Sequence, residues 1–518
     1  MAAHRRAGSD KKSGMPGLSK SRLTGFLQCP KRLWLEVHRK DLAPPVAPAT
    51  QALFDTGHAV GAIAQQLYDP AGTGTLIDGG AGMTAALAET AALVASGLKG
   101  PVFEATVERD GLLIRADIIE PAAGCRGVRL VEVKSSTSVK PEHVTDCAIQ
   151  AWVLGASPLK PASVALARID NTFVYAGDGN YRGLLAEEDL TAKVAPLLPE
   201  VPRWLAAAKA TVDGPEPDVT IGSRCKLPYE CAFMGHCWPK VEHPLTSLPR
   251  LGKRLDALVA GGYRDVRDLP ETALFSADAR RVWRAARSGQ PEFRPPGPAE
   301  RLPAGFPRYY LDFETVAPGI PLWPGSRPFQ TVPFQWSLHV ETEPGQLEHR
   351  EFLDLSGSHP ARGVAAALVA AAGTSGPVFT YSSYERQCLT TLAACCPDLA
   401  DELRAIAARL FDLLPVMQAC WYHPAMQGSW SIKAVLPTVA PDLDYGQLEG
   451  VQDGIAAQGA WFRAVDPATP APEREVLRAQ LLRYCGYDTL AMVRVVGFLE
   501  TCKVAPVGAP TQGQTDPR

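Results

Sequence analysis

Two short stretches carry acidic side chains at the spacing of a β-strand, in which every second residue shares a face. In Val131-Glu132-Val133-Lys134 the valines turn one way, and Glu132 and Lys134 turn the other. Upstream, Leu112-Leu113-Ile114-Arg115-Ala116-Asp117 reads as a second strand ending in a carboxylate, a hairpin-length connection away. Asp117 and Glu132 suit a divalent ion held against a scissile phosphate, with Lys134 stabilising developing charge or positioning water. Taken alone, E-x-K reads more plainly as a solvated hairpin with a surface ion pair. In Tyr310-Leu311-Asp312-Phe313-Glu314 the same alternation sets Asp312 and Glu314 opposite Leu311 and Phe313. Near the C-terminus, the segment from Leu481 to Thr489 reads as a helix with Tyr484 and Asp488 on one face, at i and i+4. Between them VFTYSSYERQCL reads as a strand entering a helix, with Glu385 at the junction.

Cysteines form a third pattern. Cys225, Cys231 and Cys237 stand at C-x5-C-x5-C, and Cys29 in GFLQCPKRLWLE is a fourth candidate far upstream. Structural zinc usually takes tighter C-x2–4-C knuckles, and none is present. Twelve cysteines in a chain without a secretory signal point to a metal group rather than a disulfide framework. The other eight read as packing residues.

These residues need folded elements to position them, and 518 residues supply more than one domain. Hydrophobic residues make up 46% and charged residues 21%, as in ordinary globular proteins. A net charge of −3 gives no global basic field, so nucleic acid would have to be met by a local basic groove. The longest apolar run, Gly363 to Gly373, is too short to span a bilayer, and a cytoplasmic protein without membrane contact is expected. The chain divides into tails at 1–16 and 505–518, an α/β domain at 17–242, a helical stretch with a Pro-rich linker at 243–300, and a second α/β domain at 301–504.

The order His58 (in LFDTGHAVGAIAQQL), Asp117, Glu132-x-Lys134 and Gln150 (in DCAIQAWVL) resembles the RecB-like branch of the PD-(D/E)xK nucleases. That resemblance implies a restriction-endonuclease-like fold over about residues 18–240. His58, Asp117 and Glu132 become metal ligands, Lys134 the catalytic lysine, and Gln150 part of the motif after the core. Leu154 stands where the family often has tyrosine. One cysteine at the start of this domain and three at its end resemble the clasp of RecB-like iron–sulfur nucleases. The resemblance implies that Cys29, Cys225, Cys231 and Cys237 hold a [4Fe–4S] cluster, with zinc as the alternative.

Asp312, Glu314, Glu385, Tyr484 and Asp488, in that order, resemble the tyrosine subclass of the DnaQ-type DEDD exonucleases, which have an RNase H-like fold. The four acids then bind two magnesium or manganese ions while Tyr484 orients water. The third acid is normally the Asp of N-x-x-F-D, whereas this chain has Ser-Ser-Tyr-Glu, and Asp412 in FDLLPV is the fallback. GSWSIKAVLP, YCGYDTLAMV and the cysteine segment look like a bacterial family defined only as a domain of unknown function. There, Ser431 and Lys433 touch substrate, and the plainer reading of Lys433 is a solvated helix residue. LPRLGKRLDALVAGGYRDVRDL resembles a helix–hairpin–helix, with Gly261 and Gly262 at its turn beside Arg250, Lys253, Arg254 and Arg264; a helical spacer is the alternative. The implied function is a DNA nuclease with two metal centres, in processing, repair or defence. The rivals are an RNA exonuclease and a nucleic-acid-binding scaffold with an inactive first half.

Overall fold

The computed structural model describes residues 17–122, 127–295 and 301–501, so the tails expected at 1–16 and 505–518 lie outside the described residues. The protein is a multidomain α/β structure built on two mixed β-sheets. Among the described residues, no helix is long and apolar enough to cross a membrane.

The first sheet comprises β1 (Leu18–Ser19), β2 (Thr75–Leu76), β3 (Val102–Arg109), β4 (Leu112–Pro121), β5 (Val128–Lys134), β6 (Pro161–Ile169) and β7 (Leu185–Asp189). Its order is β2-β3-β4-β5-β6-β7, with β1 beside the start of β4. β3, β4 and β5 are antiparallel neighbours, as the hairpin spacing predicts, whereas β5 and β6 are parallel. Parallel neighbours need a crossover, and the Pro141–Leu154 helix supplies it. Its Cys147 and Ile149 pack with Leu112, Ile114, Leu130 and Leu166 in one core cluster. A second helix, Pro48–Tyr68, packs Ala64 with Ile118 and Val131, and Val60 with Ile169. The unit closes on itself at its ends. The Lys20–Gln28 and Pro30–His38 helices break at Cys29, whose backbone is extended, and Trp34 Nε1 donates to Gly214 O at 3.0 Å.

A short strand, β8 (Glu292–Phe293), precedes the second sheet. That sheet holds β9 (Arg308–Val316), β10 (Val332–Glu343), β11 (Gln346–Leu353), β12 (Val378–Thr380) and β13 (Leu410–Asp412) in the order β11-β10-β9-β12-β13. β9 is antiparallel to β10 and parallel to β12, so it is the strand at which the sheet changes sense. The long Ala471–Thr501 helix crosses β9 and β10. Buried polar contacts fix its register: Gln335 Nε2 donates to Leu481 O at 2.9 Å, and Thr489 Oγ1 meets Ser337 Oγ at 2.7 Å and His339 Nδ1 at 2.8 Å. Gly486 lets the helix come close, because a Cβ there would sit 3.3 Å from the His349 ring.

The sequence separates residues 243–300 as a domain of their own, and the structure does not. Leu255, Val266 and Val282 share one core with Phe379, Met417 and Val495 of the second unit. β8 pairs with β14 (Trp421–Tyr422) across the same boundary. Gly261 and Gly262 do end the Arg254–Ala260 helix, but a 3-10 turn follows at Val266–Asp268 rather than a second α-helix. The Arg264 guanidinium is spent on Val259 O and Tyr263 O, at 2.9 and 2.7 Å. The arrangement is a docked helical spacer, not the hairpin.

Arg281, 2% exposed, ties this spacer down by donating to Gln418 O at 2.6 Å and Glu292 O at 3.2 Å. Replacing it removes two part-buried hydrogen bonds from a buried guanidinium, which costs about 1–3 kcal/mol. Arg281→Ala should therefore lower the denaturant midpoint of the second unit, with little recovery in Arg281→Lys, since one ammonium cannot span both acceptors. An unchanged midpoint would mean that the apolar cluster alone holds the spacer.

Candidate functional site

Three elements converge on the second sheet. β9 contributes Asp312 and Glu314, the crossing helix contributes Tyr484, Cys485 and Asp488, and Glu385 lies in the first turn of the Tyr384–Cys395 helix after β12. All five residues expected here line one groove of about 950 Å³, together with Ser431 and Lys433. Glu314, Glu385 and Asp488 are buried and Asp312 is partly buried. One ligand atom each from Asp312, Glu314 and Cys485 lies within 4.8 Å of the others.

Electrostatics describes the groove's demand. Burial, then the charges of Asp488, Glu314 and Glu385, push Asp312 well above the carboxylate range. Burial and Asp488 do the same to Glu314 against the pull of Lys433. Burial lifts Glu385 to about 7, and lifts Asp488 to about 6 against hydrogen bonds from Tyr445 and Tyr484. Four carboxyls thus crowd one space and hold protons because burial, and at Asp312 and Glu314 the neighbouring carboxylates as well, disfavour their charged forms. Lys433 is the cation present: its Nζ lies 4.9 Å from the Tyr484 ring centroid and donates to Gln452 O at 2.5 Å. It is half-buried on the groove wall, with its ammonium toward the Tyr484 ring. Burial and Asp488 raise the Tyr484 phenol, so it stays protonated near neutral pH. Asp412, the fallback acid, caps the next helix through Leu414 N at 2.9 Å and does not line the groove, whereas Glu385 does.

The first sheet brings together Asp117, Glu132, Lys134 and Gln150, and adds two residues that the sequence reading lacked, Lys20 and Asp146. Glu132 Oε1 accepts from Lys20 Nζ at 3.0 Å and Lys134 Nζ at 2.5 Å, and its Oε2 accepts from Gln150 Nε2 at 2.5 Å. Lys134 also reaches Asp146 Oδ2 at 2.8 Å. Burial pushes Glu132 upward, but the two ammoniums and the Asp146 and Gln150 hydrogen bonds overcome it and hold the carboxyl well below its usual range. Burial and Glu132 lift Asp117, which accepts from Val133 N at 2.7 Å, to about 8. Both Glu132 oxygens are occupied by the chain's own donors, whereas burial and Glu132 raise the other two carboxyls, Asp117 and Asp146, so the lysines satisfy Glu132 and not the whole donor set.

His58 is a correction. Val60 and Ala64 turn toward the sheet, and His58, two residues before Val60 on the same helix, is carried to the exposed side. Among the described residues, no metal-distance group contains it.

Cys29, Cys225, Cys231 and Cys237 wall a single small cavity, and none is in a disulfide. No three of their sulfurs lie within 4.8 Å of one another.

Some of the missed residues left a trace in the sequence. Asp146 precedes Gln150 by one helical turn, a spacing that marks a shared face. Cys485 sits beside Tyr484, yet as a cysteine it reads as packing; its Sγ lies 3.6 Å from Asp312 Oδ2. Lys20 and Tyr445, whose hydroxyl donates to Asp488 Oδ1, are remote in sequence and carry no local signal.

Residues 309–431 match the family described as "Domain of unknown function (DUF2779)", a stretch that includes Asp312, Glu314, Glu385 and Ser431 and ends before Tyr484. No curated protein matches the chain. A solved structure titled "Crystal structure of SSO0001" aligns at 15% identity with a TM-score of 0.24, over 46% of this chain and 91% of that one.

Because the groove carboxyls bind protons more tightly folded than unfolded, their contribution to stability falls as pH rises from about 4 through the folded values of about 6 and 7. Manganese should offset that loss, so its thermal stabilisation should be larger at pH 8 than at pH 5. Asp312→Asn removes a carboxyl whose ionisation burial and its neighbours oppose. It should raise the metal-free melting temperature by about 2–4 °C and abolish the manganese shift. A manganese shift that survives in Asp312→Asn would place the ion elsewhere.

Proposed function

We propose that the chain is a metal-dependent 3′–5′ exonuclease of nucleic acid, DNA before RNA, acting at the groove beside β9. The observation that carries this reading is the convergence of Asp312, Glu314, Glu385 and Asp488 with too little positive charge to balance them. The strand order β11-β10-β9-β12-β13, with acids on the central strand and on the helix crossing it, supports an RNase H-like exonuclease fold. Asp312, Glu314, Glu385 and Asp488 would hold magnesium or manganese, which supplies charge against the scissile phosphate and lowers the pKa of water. Everything else falls to the chain's own groups. Tyr484, held protonated, donates a hydrogen bond that aligns the attacking water rather than removing its proton. Lys433, beside Tyr484 on the groove wall, would meet the phosphate, and Ser431 stands near it at the start of the Ile432–Val439 helix. Water adds to phosphorus, the bond to the preceding 3′ oxygen breaks, and a mononucleotide leaves with a shortened 3′ hydroxyl end behind it.

A second reading concerns the first sheet. The grouping of Asp117, Glu132, Lys134 and Gln150 supports a RecB-like domain, while the lysine-saturated Glu132 favours a half that binds nucleic acid without cutting it. In that reading Cys29, Cys225, Cys231 and Cys237 would hold a [4Fe–4S] cluster that cross-links the ends of the domain. Each Cys→Ala variant should lose the iron of anaerobically purified protein and melt earlier. Stoichiometric zinc without iron would refute the cluster.

The full-length protein, given a single-stranded oligonucleotide with a free 3′ end, should release mononucleotides with manganese or magnesium. Asp312→Asn should abolish this, Tyr484→Phe should slow it about 10–100-fold with the metal still bound, and Glu385→Gln should lose nearly all activity. Cleavage that persists in Asp312→Asn but disappears on adding Lys134→Ala would move catalysis to the first sheet.

A further inference from the structure

A groove of about 1370 Å³ runs between the two sheets' domains; Lys134 of the first centre is among its lining residues, and no step of the proposed exonuclease reaction uses it. One wall is the hydroxyl-rich turn after Lys134, Ser135-Ser136-Thr137-Ser138, together with Lys140 and Tyr229. The opposite wall is the loop before β10, including Arg327 and Phe329. That loop is docked rather than loose. Tyr175 N donates to Ser326 O at 3.0 Å and Gly325 N donates back to Tyr175 O at 2.8 Å, a reciprocal backbone pair between the domains.

The same loop holds Phe329 in a costly state. Its φ of +58° lies in the left-handed region, which a bulky side chain rarely adopts. Phe329 N donates to Pro318 O at 2.9 Å, and Arg327 N donates to the Gln330 side chain at 3.0 Å, so the turn is fixed from both sides. The result is a phenyl ring 40% exposed at the groove, across from Tyr229, which is 53% exposed. Strain of this kind persists where the surroundings over-determine it, typically at binding sites. Exposed aromatic rings flanked by Arg327 and Lys140 are the means by which proteins hold unpaired bases and their phosphates. Duplex bases are already stacked and offer no free face.

No residue lines both this groove and the carboxylate groove, but a short chain of contacts links the loop of one to the wall of the other. Two residues after Phe329, the Thr331 side chain bonds the Tyr384 hydroxyl, which also meets Thr315 Oγ1 at 2.6 Å. Tyr384 and Thr315 line the carboxylate groove. We propose that the interdomain groove is a track for single-stranded nucleic acid, with Phe329 stacking on a base and Arg327 and Lys140 taking phosphates, so that the 3′ end is delivered past Tyr384 to Asp312 and Glu314. This rests on the exonuclease reading for what happens at the end of the track, but not for binding within it.

The test uses the full-length protein in calcium, with a fluorescein-labelled 20-mer of oligodeoxythymidylate followed by anisotropy. Phe329→Gly deletes the ring at a φ that glycine adopts freely, so the loop is spared. It should weaken binding about tenfold, as should Arg327→Glu, and Phe329→Trp should restore near-wild-type affinity. The wild-type affinity should also fall steeply with salt. The matching oligouridylate separates the two sugars, and preference for either supports the track. Wild-type affinity in both Phe329→Gly and Arg327→Glu overturns it, as does absence of oligonucleotide binding by the wild type. If binding behaves as expected but no mononucleotide appears with manganese, the exonuclease reading fails and the track stands. If cleavage proceeds while Phe329→Gly and Arg327→Glu bind normally, the reverse holds.

Discussion

Packing four carboxyl groups into one partly buried space is unfavourable in itself, because each disfavours ionisation of the next. Much of the second unit is arranged to hold that repulsion in place. β9 cannot relax, since it is paired on both sides. The long helix cannot slide, since Gln335, Ser337 and His339 hold it at Leu481 and Thr489. A glycine in mid-helix costs about 1 kcal/mol of propensity, and Gly486 is tolerated because it permits the close approach that aims Asp488 at Asp312.

The two acidic centres meet the same difficulty in opposite ways. At the first sheet, Lys20 and Lys134 neutralise Glu132 from within the chain and its carboxyl is depressed, while burial and Glu132 leave Asp117 raised beside it. At the second, Lys433 alone cannot balance its neighbours, so their carboxyls are raised and a dication would relieve them. The number of ammoniums in direct contact therefore decides whether a given carboxyl is depressed, as Glu132 is, or raised, as Asp117 and the groove carboxyls are.

The docked spacer and the interdomain loop give the second unit its boundaries. Arg281 and the shared apolar cluster make residues 243–300 part of that unit's core. The Tyr175 pairing fixes the loop of Phe329 against the first unit. Both are long-range contacts between segments that look independent in sequence, where a proline-rich stretch reads as a linker.

Local patterning determined a good part of the protein. Alternation in Glu132-x-Lys134 and Asp312-x-Glu314, and the helical spacing of Tyr484 and Asp488, carried the strands, the helix and the faces of the side chains, because those follow from backbone periods of 2 and 3.6. They also located Glu385 at a strand–helix junction. The tertiary structure decided what no period encodes. It turned His58 away from the sheet, because Val60 and Ala64 claimed that face of its helix. It brought Lys20 across more than a hundred residues to Glu132, and Tyr445 to Asp488. It chose Glu385 over Asp412, because only the former lines the groove. Charge balance and groove shape depend on contacts between residues distant in the chain, and these exist only once the two sheets and their crossing helices have packed.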